Sequence, residues 1–212
     1  MDPDEHLGMT TALILLAKAP APGFAKTRLI PALGSGGAAA LANRMLCHAV
    51  AQAMAGGFKR VELCVSPDES HIAFRRLAMR YPDQLHLTCQ IDGDLGQRMQ
   101  RAINTNLSAY PRVLLMGTDA PALTAKRLRE AANALQNHNA ALVPAYDGGY
   151  ALIGLTQSAP FLFEDMLWST SDVMKQTRSR LRDHGWRWQE LESVHDIDEP
   201  EDLKHLPAEW LP

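Results

Sequence analysis

Cysteine is scarce: Cys47, Cys64 and Cys89 are the three in 212 residues. They are too few and too scattered for a disulfide framework or a zinc knuckle, and the odd number points to a reducing compartment. An excess of one charge is also missing. The 21 Lys and Arg stand against 24 Asp and Glu, a formal charge of −3, which excludes nucleic-acid binding driven by global charge. Glycine (14) and proline (13) are ordinary and 46% of the residues are hydrophobic, so collagen-like, disordered and coiled-coil classes are out. No long hydrophobic run is present. The apolar stretch from Ala12 to Ala17 falls far below the ~20 residues a membrane span needs. Met1 to Gly8 (MDPDEHLG) is acidic and polar, the opposite of a signal-peptide start. It reads as a loose tail over residues 1–8, with Met9 an alternative start, on a soluble, cytoplasmic protein. One domain over residues 9–212 is expected. A chain of this length buries roughly 70% of the surface its unfolded form exposes, so it needs no disulfide or metal to stay folded.

What is there is an alternation of buried strands and helices. Thr11 to Ala17 is a continuous apolar run of strand length, buried on both faces. Gly36 to Ala55 is alanine-rich and helical, closed by Gly56 and Gly57. Strands are read at Arg60 to Ser66, Leu85 to Gln90 and Val113 to Met116, with helices from an Asp68 cap to Arg80, from Leu95 to Leu107, and from a Thr124 cap to about Asn137. Ala140 to Pro144 and Tyr150 to Leu155 flank an Asp147-Gly148-Gly149 turn. A helix capped by Ser171 or Asp172 runs to His184, a last strand covers Trp186 to Leu191, and a short helix opens at Pro200. This is an α/β protein, a Rossmann-like three-layer α/β/α sandwich with a mainly parallel mixed sheet. In such sheets ligands lie at the carboxyl ends of the strands.

The loop after the first strand runs Lys18-Ala-Pro-Ala-Pro-Gly23-Phe-Ala-Lys26-Thr27-Arg28-Leu29, with three cations and no carboxylate. Lysine offers a point charge to phosphate oxygens and arginine clamps two of them. The loop is no P-loop, because Ala25 stands where that motif needs glycine, and no G-x-G-x-x-G follows the strand. A solvated basic loop is the plain alternative; its place behind a buried strand favours phosphate. After the fourth strand comes Gly117-Thr118-Asp119-Ala120-Pro121. Asp119 is either a turn residue or a carboxylate for Mg²⁺ or Mn²⁺, and the cationic loop tips the balance to metal. Eight acidic residues against Lys204 lie between Glu190 and Glu209. Such a run is usually a solvated face, but Asp196 and Asp198 share one side if the segment is extended, and either one completes a site with Asp119. Asp202, inside the following helix, reads as structural.

In the Asp147-Gly148-Gly149-Tyr150 segment a hairpin turn and a pocket for substrate, with backbone amides from the glycines, are compatible readings. Trp168-Ser169-Thr170 leads to a helix N-terminus, read as an ordinary cap rather than an anion site. Arg98 and Arg101, three apart on one helix, reach the nucleotide or only solvate that face. No histidine pair has ligand spacing, though His195 stands beside the carboxylates.

The ordered set A-K-A-P-x-P-G-x-x-K-T-R-L, G-T-D-x-P-x-L, P-A-x-D-G-G-Y-x-L-I-G, W-S-T and D-x-D-E-P-E-D-L resembles the nucleotide-diphospho-sugar transferase superfamily with the GT-A fold. Within it the chain is similar to a bacterial glycosyltransferase-like branch related to molybdenum-cofactor nucleotidyltransferases and phospholactate guanylyltransferase. The resemblance covers about Met9 to Leu206. It implies a nucleotide-binding transferase. Lys26 and Arg28 would hold phosphates, with Lys18, Gly23, Thr27 and Arg98 around the nucleotide. Asp119 and Asp198 would bind Mg²⁺ or Mn²⁺, Lys26 and Asp119 would be catalytic, and Asp147, Gly148, Gly149 and Tyr150 would face the acceptor. The chain departs from nucleotidyltransferases in lacking L-A-G-G-x-G-x-R-M, and from glycosyltransferases of this fold in lacking D-x-D on the fourth strand. The expected reaction moves a nucleotidyl group from an NTP to a small phosphorylated or carboxylated acceptor. Glycosyl transfer from a nucleotide-sugar is the alternative, and a non-catalytic nucleotide-binding protein a weaker one.

Overall fold

In the computed structural model the described residues are 10–207 and 210; the expected tail, and Glu209, lie outside them. The strands are β1 (Thr11–Lys18), β2 (Arg60–Ser66), β3 (Leu85–Cys89), β4 (Arg112–Met116), β5 (Ala140–Pro144), β6 (Tyr150–Leu155) and β7 (Trp188–Glu190). The helices are α1 (Ile30–Ala55), α2 (Ile72–Arg80), α3 (Leu95–Leu107), α4 (Ala125–Ala134) and α5 (Val173–Asp183), with 3-10 turns at Thr27–Leu29, Pro160–Leu162 and Pro200–His205. The strands form one sheet in the order β3-β2-β1-β4-β6-β5-β7. Only β6 runs antiparallel to its neighbours, β4 and β5.

Strand periodicity explains why β1 reads as an unbroken apolar run. Alternate side chains go to opposite faces, and both faces are covered by helices. Leu13, Leu15 and Ala17 pack with residues of α1, α2 and α4, while Ala12 and Ile14 pack with residues of α3 and α5. Each fully buried leucine stabilises by about 1.5–3 kcal/mol. The mainly parallel three-layer sandwich expected from the sequence is the fold observed. Parallel pairing of β1 with both β2 and β4 brings the loops after β1 and β4 to the same edge.

Several element limits differ from the sequence reading. Asp68 does not cap α2: its Oδ1 accepts from Ser70 N (2.7 Å), and the cap is His71, whose Nδ1 accepts from Ala73 N. A turn with Pro31 near its start precedes the expected beginning of α1, and the helix is broken at Gly34. α4 stops at Ala134, and β7 is three residues long. Proline suits the first turn because its missing N–H has no helical partner there.

A third apolar cluster decides the site. Leu29, beside the basic loop, and Ile197, between Asp196 and Asp198, are both fully buried in it with Ala38, Leu41 and Met45 of α1. The cationic loop and the acidic segment are therefore fastened to the same helix.

Arg178 of α5 grips Glu190 of β7 with two hydrogen bonds, 2.9 and 2.7 Å, and this holds the Glu190 carboxyl below its ordinary pKa. A depressed carboxyl pKa contributes stability above the unfolded value and loses it as pH falls through the folded one. Glu190→Gln is expected to cost about 0.5–1 kcal/mol at neutral pH. That difference should shrink progressively in denaturation curves recorded as pH falls below about 4.3, the unfolded carboxyl value.

Candidate active site

Lys26 lies at the centre of the carboxyl edge. Its backbone is left-handed (φ 50, ψ 45) just before the Thr27–Leu29 turn, a conformation that costs a non-glycine residue roughly 1–2 kcal/mol. Its side chain is 7% exposed, and Nζ lies 2.8 Å from Asp119 Oδ1 and 2.5 Å from Asp198 Oδ1. Burial alone would lower the ammonium pKa; Asp119 and Asp198 outweigh it and hold the pKa above the ordinary value. Lys26 is thus a fixed positive charge. The carboxylates are 46% and 42% exposed, so they remain open to a further ligand.

Local bonds place each partner. Asp119 follows β4, and its carbonyl accepts from Ile197 N (2.9 Å), which ties the acidic segment to this loop. Asp202 Oδ2 accepts from Asp198 N and Glu199 N (3.0 and 2.8 Å) at the start of the Pro200–His205 turn. The role of Asp202 is structural, as its position in the sequence suggests: it fixes the backbone that carries Asp198.

A cavity of about 540 Å³ opens beside this cluster. Lys18, Lys26, Thr27, Arg28, Arg98 and Asp198 all line it. Lys18 Nζ sits over the Phe24 ring at 4.1 Å, Arg28 pairs with Glu199 at 3.2 Å, and Arg98 donates to Gly93 O and Gln90 Oε1. Gly23 adopts a left-handed turn in the loop and does not line the cavity, and neither does Arg101. Gln90 was missed by the sequence reading. Its amide donates to Ala17 O and Cys64 O (3.2 and 3.0 Å), bracing the ends of β1 and β2 against the cavity. The available signal was its position just past β3, on the edge where ligands lie.

A second cavity, of about 240 Å³, adjoins the first and shares Gly117, Asp119 and Tyr150 with it. Asp147, Gly149, Trp168 and Asp196 line its other walls. Asp147 to Gly149 form the hairpin turn between β5 and β6. Both glycine amides are used inside it: Gly148 N donates to Ala145 O (3.1 Å) and Gly149 N to Asp147 Oδ1 (2.8 Å). The expected presentation of those amides to a substrate is therefore not what the geometry provides. Gly148 is outside the lining, at φ 94, and a Cβ there would stand 2.2 Å from Ser171 O. Its carbonyl accepts from Met174 N in the first turn of α5 (2.8 Å). This glycine permits a close approach of protein to protein rather than of protein to ligand.

A parallel bridge pairs Ala145 with Val194. In that register Tyr146 stacks on His195 (4.1 Å), and His195 on His205 (3.5 Å). Asp147, in the turn that follows, and Asp196 both line the second cavity. Burial, then the Asp147 charge, with a smaller part from Asp198, push the Asp196 carboxyl up to about 6. The Tyr150 hydroxyl is buried without a hydrogen-bond partner, and burial raises its pKa; the rest of the residue is half-exposed. The indole N–H of Trp168 is likewise buried and unpartnered. No cysteine lines either cavity, and burial pushes the Cys64 thiol up to about 11, which removes the thiolate a cysteine nucleophile requires.

The sequence left Asp196 and Asp198 as alternatives for partnership with Asp119. Asp198 shares Lys26 with Asp119, while Asp196 faces the second cavity. Among the described residues no three His, Cys, Asp or Glu side chains gather as a metal site.

The family model described as "uncharacterized protein conserved in bacteria (DUF2064)" matches residues 49–170. The chain belongs to this family. A protein of Desulfovibrio desulfuricans G20, provisionally assigned as a nucleotide-diphospho-sugar transferase, is 28% identical over 90% of this chain and 83% of its own, with a TM-score of 0.82. Rv0371c from Mycobacterium tuberculosis H37Rv is 16% identical over 93% of this chain and 97% of its own (TM-score 0.59), and has also been solved with manganese. CMP:2-keto-3-deoxy-manno-octonic acid synthetase, solved with CTP, is 10% identical over 92% of this chain and 96% of its own (TM-score 0.58). The last two likenesses are of fold. No curated protein matches the chain. The fold is that of the nucleotide-diphospho-sugar transferase superfamily, as the sequence resemblance implied. Among the described residues no helix is long and apolar enough to cross a membrane.

Asp202→Ala removes the acceptor of two backbone N–H groups. Denaturant unfolding should show a loss of about 1–2 kcal/mol, a cost that a merely solvated carboxylate would not carry.

Proposed function

We propose that this protein is a metal-dependent nucleotide-binding transferase that moves a nucleotidyl group from an NTP to a small acceptor. The observation that carries the reading is the position of Lys26 between Asp119 and Asp198, where a cation-lined cavity meets a second one. The larger cavity takes the donor. Lys18, Arg28 and Arg98 lie around a space suited to a triphosphate, and charge-assisted bonds to phosphate are strong. In the reaction an acceptor oxygen forms a bond to the α-phosphorus and the bond from that phosphorus to the β-phosphate bridging oxygen breaks. Pyrophosphate leaves with the bond's electron pair, and the acceptor's proton passes to solvent.

The residues fit a divalent cation. Asp119 and Asp198 already converge on one positive group, their oxygens are hard ligands, and Mg²⁺ is commonly held by one or two carboxylates plus substrate phosphates. When bound there, Mg²⁺ or Mn²⁺ would neutralise phosphate charge that develops during transfer. Lys26 orients the two carboxylates and, with Arg28, presents positive charge to the phosphates. Catalysis by this chain rests on positioning and electrostatics. Asp147, Gly149 and Tyr150 line the acceptor side. No Lys or Arg lines that cavity, so a phosphorylated or carboxylated acceptor, expected from the sequence, meets no cationic side chain there.

Glycosyl transfer from a nucleotide-sugar is the second reading, favoured by the assignment given to the Desulfovibrio protein. Thermal unfolding separates the two. An NTP with Mg²⁺ at about 100 times its Kd should stabilise by about 2.7 kcal/mol, a Tm rise of about 5–10 °C, and UDP- or GDP-sugars should give less. A larger shift with a nucleotide-sugar would favour glycosyl transfer, and no shift with any nucleotide, with or without metal, would exclude both. Asp119→Asn, nearly isosteric but a poorer hard-metal ligand, should lower turnover by at least about 100-fold and leave the circular dichroism spectrum unchanged. Metal-dependent turnover that survives the substitution would make Asp119 a turn residue only.

A further inference from the structure

We infer that the larger cavity holds the donor's base by its face, on the ring of Phe24, and so accepts nucleotides with little regard to which base they carry. This deepens the proposed function and rests on the larger cavity being the donor side. Phe24 belongs to the loop between β1 and α1 and lines that cavity. It is 40% exposed, while Ala25 beside it is buried. Its ring takes no part in the apolar clusters of the core. The Lys18 ammonium lies over it, 4.1 Å from the centroid, which marks an accessible, electron-rich face. A base that settles on that face releases Lys18 to the phosphates.

What the rest of the loop withholds is the decisive observation. Bases are told apart by hydrogen bonds to their edges, and backbone that binds nucleotides keeps its amides open to the ligand. In this loop the amides are already spent. Pro20 and Pro22 have no N–H. Ala19 N donates to Ser66 O and Ala21 N to Ala19 O, both at 2.8 Å. Phe24 N and Ala25 N both donate to Ala21 O, at 3.0 and 3.1 Å. Gly23 and Lys26, both left-handed, bound the stretch that carries the ring. Phe24 therefore stands on a self-bonded turn, and a stiff platform lowers the ordering cost of binding.

The far wall is committed in the same way. The ends of β2 and β3 lie across β1 from the end of β4, which leads to Asp119, and Ser66 and Gln90 line the cavity there. Both amide hydrogens of Gln90 are used, one on Ala17 O and one on Cys64 O, and its Oε1 accepts from Arg98. Arg98 is held in turn by Gly93 O. The Ser66 hydroxyl donates or accepts as its partner requires, so it favours no base. Stacking on an aromatic ring is open to every base.

The test is titration calorimetry on the full chain with ATP, GTP, CTP, UTP and inorganic tripolyphosphate, each with Mg²⁺. ATP and GTP should bind within about 10-fold of each other, as should CTP and UTP, and tripolyphosphate at least about 5-fold more weakly than ATP. Phe24→Leu should weaken every nucleotide by about 5- to 100-fold and leave tripolyphosphate within about 2-fold of the parent. Phe24→Trp, with a larger aromatic face, should bind nucleotides at least as tightly as the parent. The inference is overturned if one purine or one pyrimidine exceeds the other by more than about 10-fold, or if tripolyphosphate matches ATP. It is also overturned if Phe24→Leu leaves the nucleotides unaffected or weakens tripolyphosphate equally. The comparison of ligands on the parent protein decides the matter even if a variant does not fold. Failure of the parent to bind any nucleotide with Mg²⁺, by contrast, would count against the transferase reading itself.

Discussion

One buried ammonium organises the carboxyl edge of this sheet. Lys26 reaches two carboxylates that belong to different parts of the chain, and without it those carboxylates would face each other uncompensated. The left-handed backbone of Lys26 is tolerated because both sides of the bracket are independently anchored. Leu29 and Ile197 share an apolar cluster against α1, the Ile197 amide bonds the Asp119 carbonyl, and Asp202 fixes the Asp198 backbone. Apolar packing supplies the force, and the ion pairs give it a register.

The two cavities follow from the same edge but have opposite electrostatic character. Parallel β1, β2 and β3 end on the side of the larger cavity, where a cationic loop and Gln90 meet. The antiparallel β6 returns the chain through the hairpin, and the segment after β7 pairs beside it. Asp147 and Asp196 both line the smaller cavity. Asp119 and Tyr150 line both cavities, so the two spaces meet at a carboxylate and a phenol ring.

Much of this was legible in the sequence. Buried parallel strands announce themselves as unbroken apolar runs, and Asp-Gly-Gly between two such runs announces a hairpin. β2, β5, β6 and α3 have the expected limits because flanking glycine, proline and capping residues mark them. The basic loop, Asp119 and Asp198 were recognisable as chemistry because strand ends are where an α/β sheet exposes ligand groups. Less legible was anything that depends on which segments touch. No local pattern shows that Lys26 would sit between Asp119 and Asp198, or that Ala145 would pair with Val194. Gly148 looked like a ligand contact because a glycine next to a strand end permits close approach; only the packing of α5 shows that Ser171 occupies that space. Asp68 was misread for a related reason. A carboxylate ahead of a helical stretch satisfies the nearest free amide, which here belongs to Ser70, inside a separate turn.

Lys26 and Asp198 are 172 residues apart. The entropy of closing so long a loop grows only slowly with its length, so distance along the chain is a small thermodynamic burden. It is a strict temporal one. The basic loop and all seven strands precede residue 196 in synthesis, and a growing chain holds Lys26 with a single carboxylate and Leu29 without Ile197. A polypeptide cut after β7 keeps every strand of its sheet and lacks half of the counter-charge at its centre. The site is completed only once the segment after β7 has been made, so competence for ligand waits on residues that follow the last strand of the sheet.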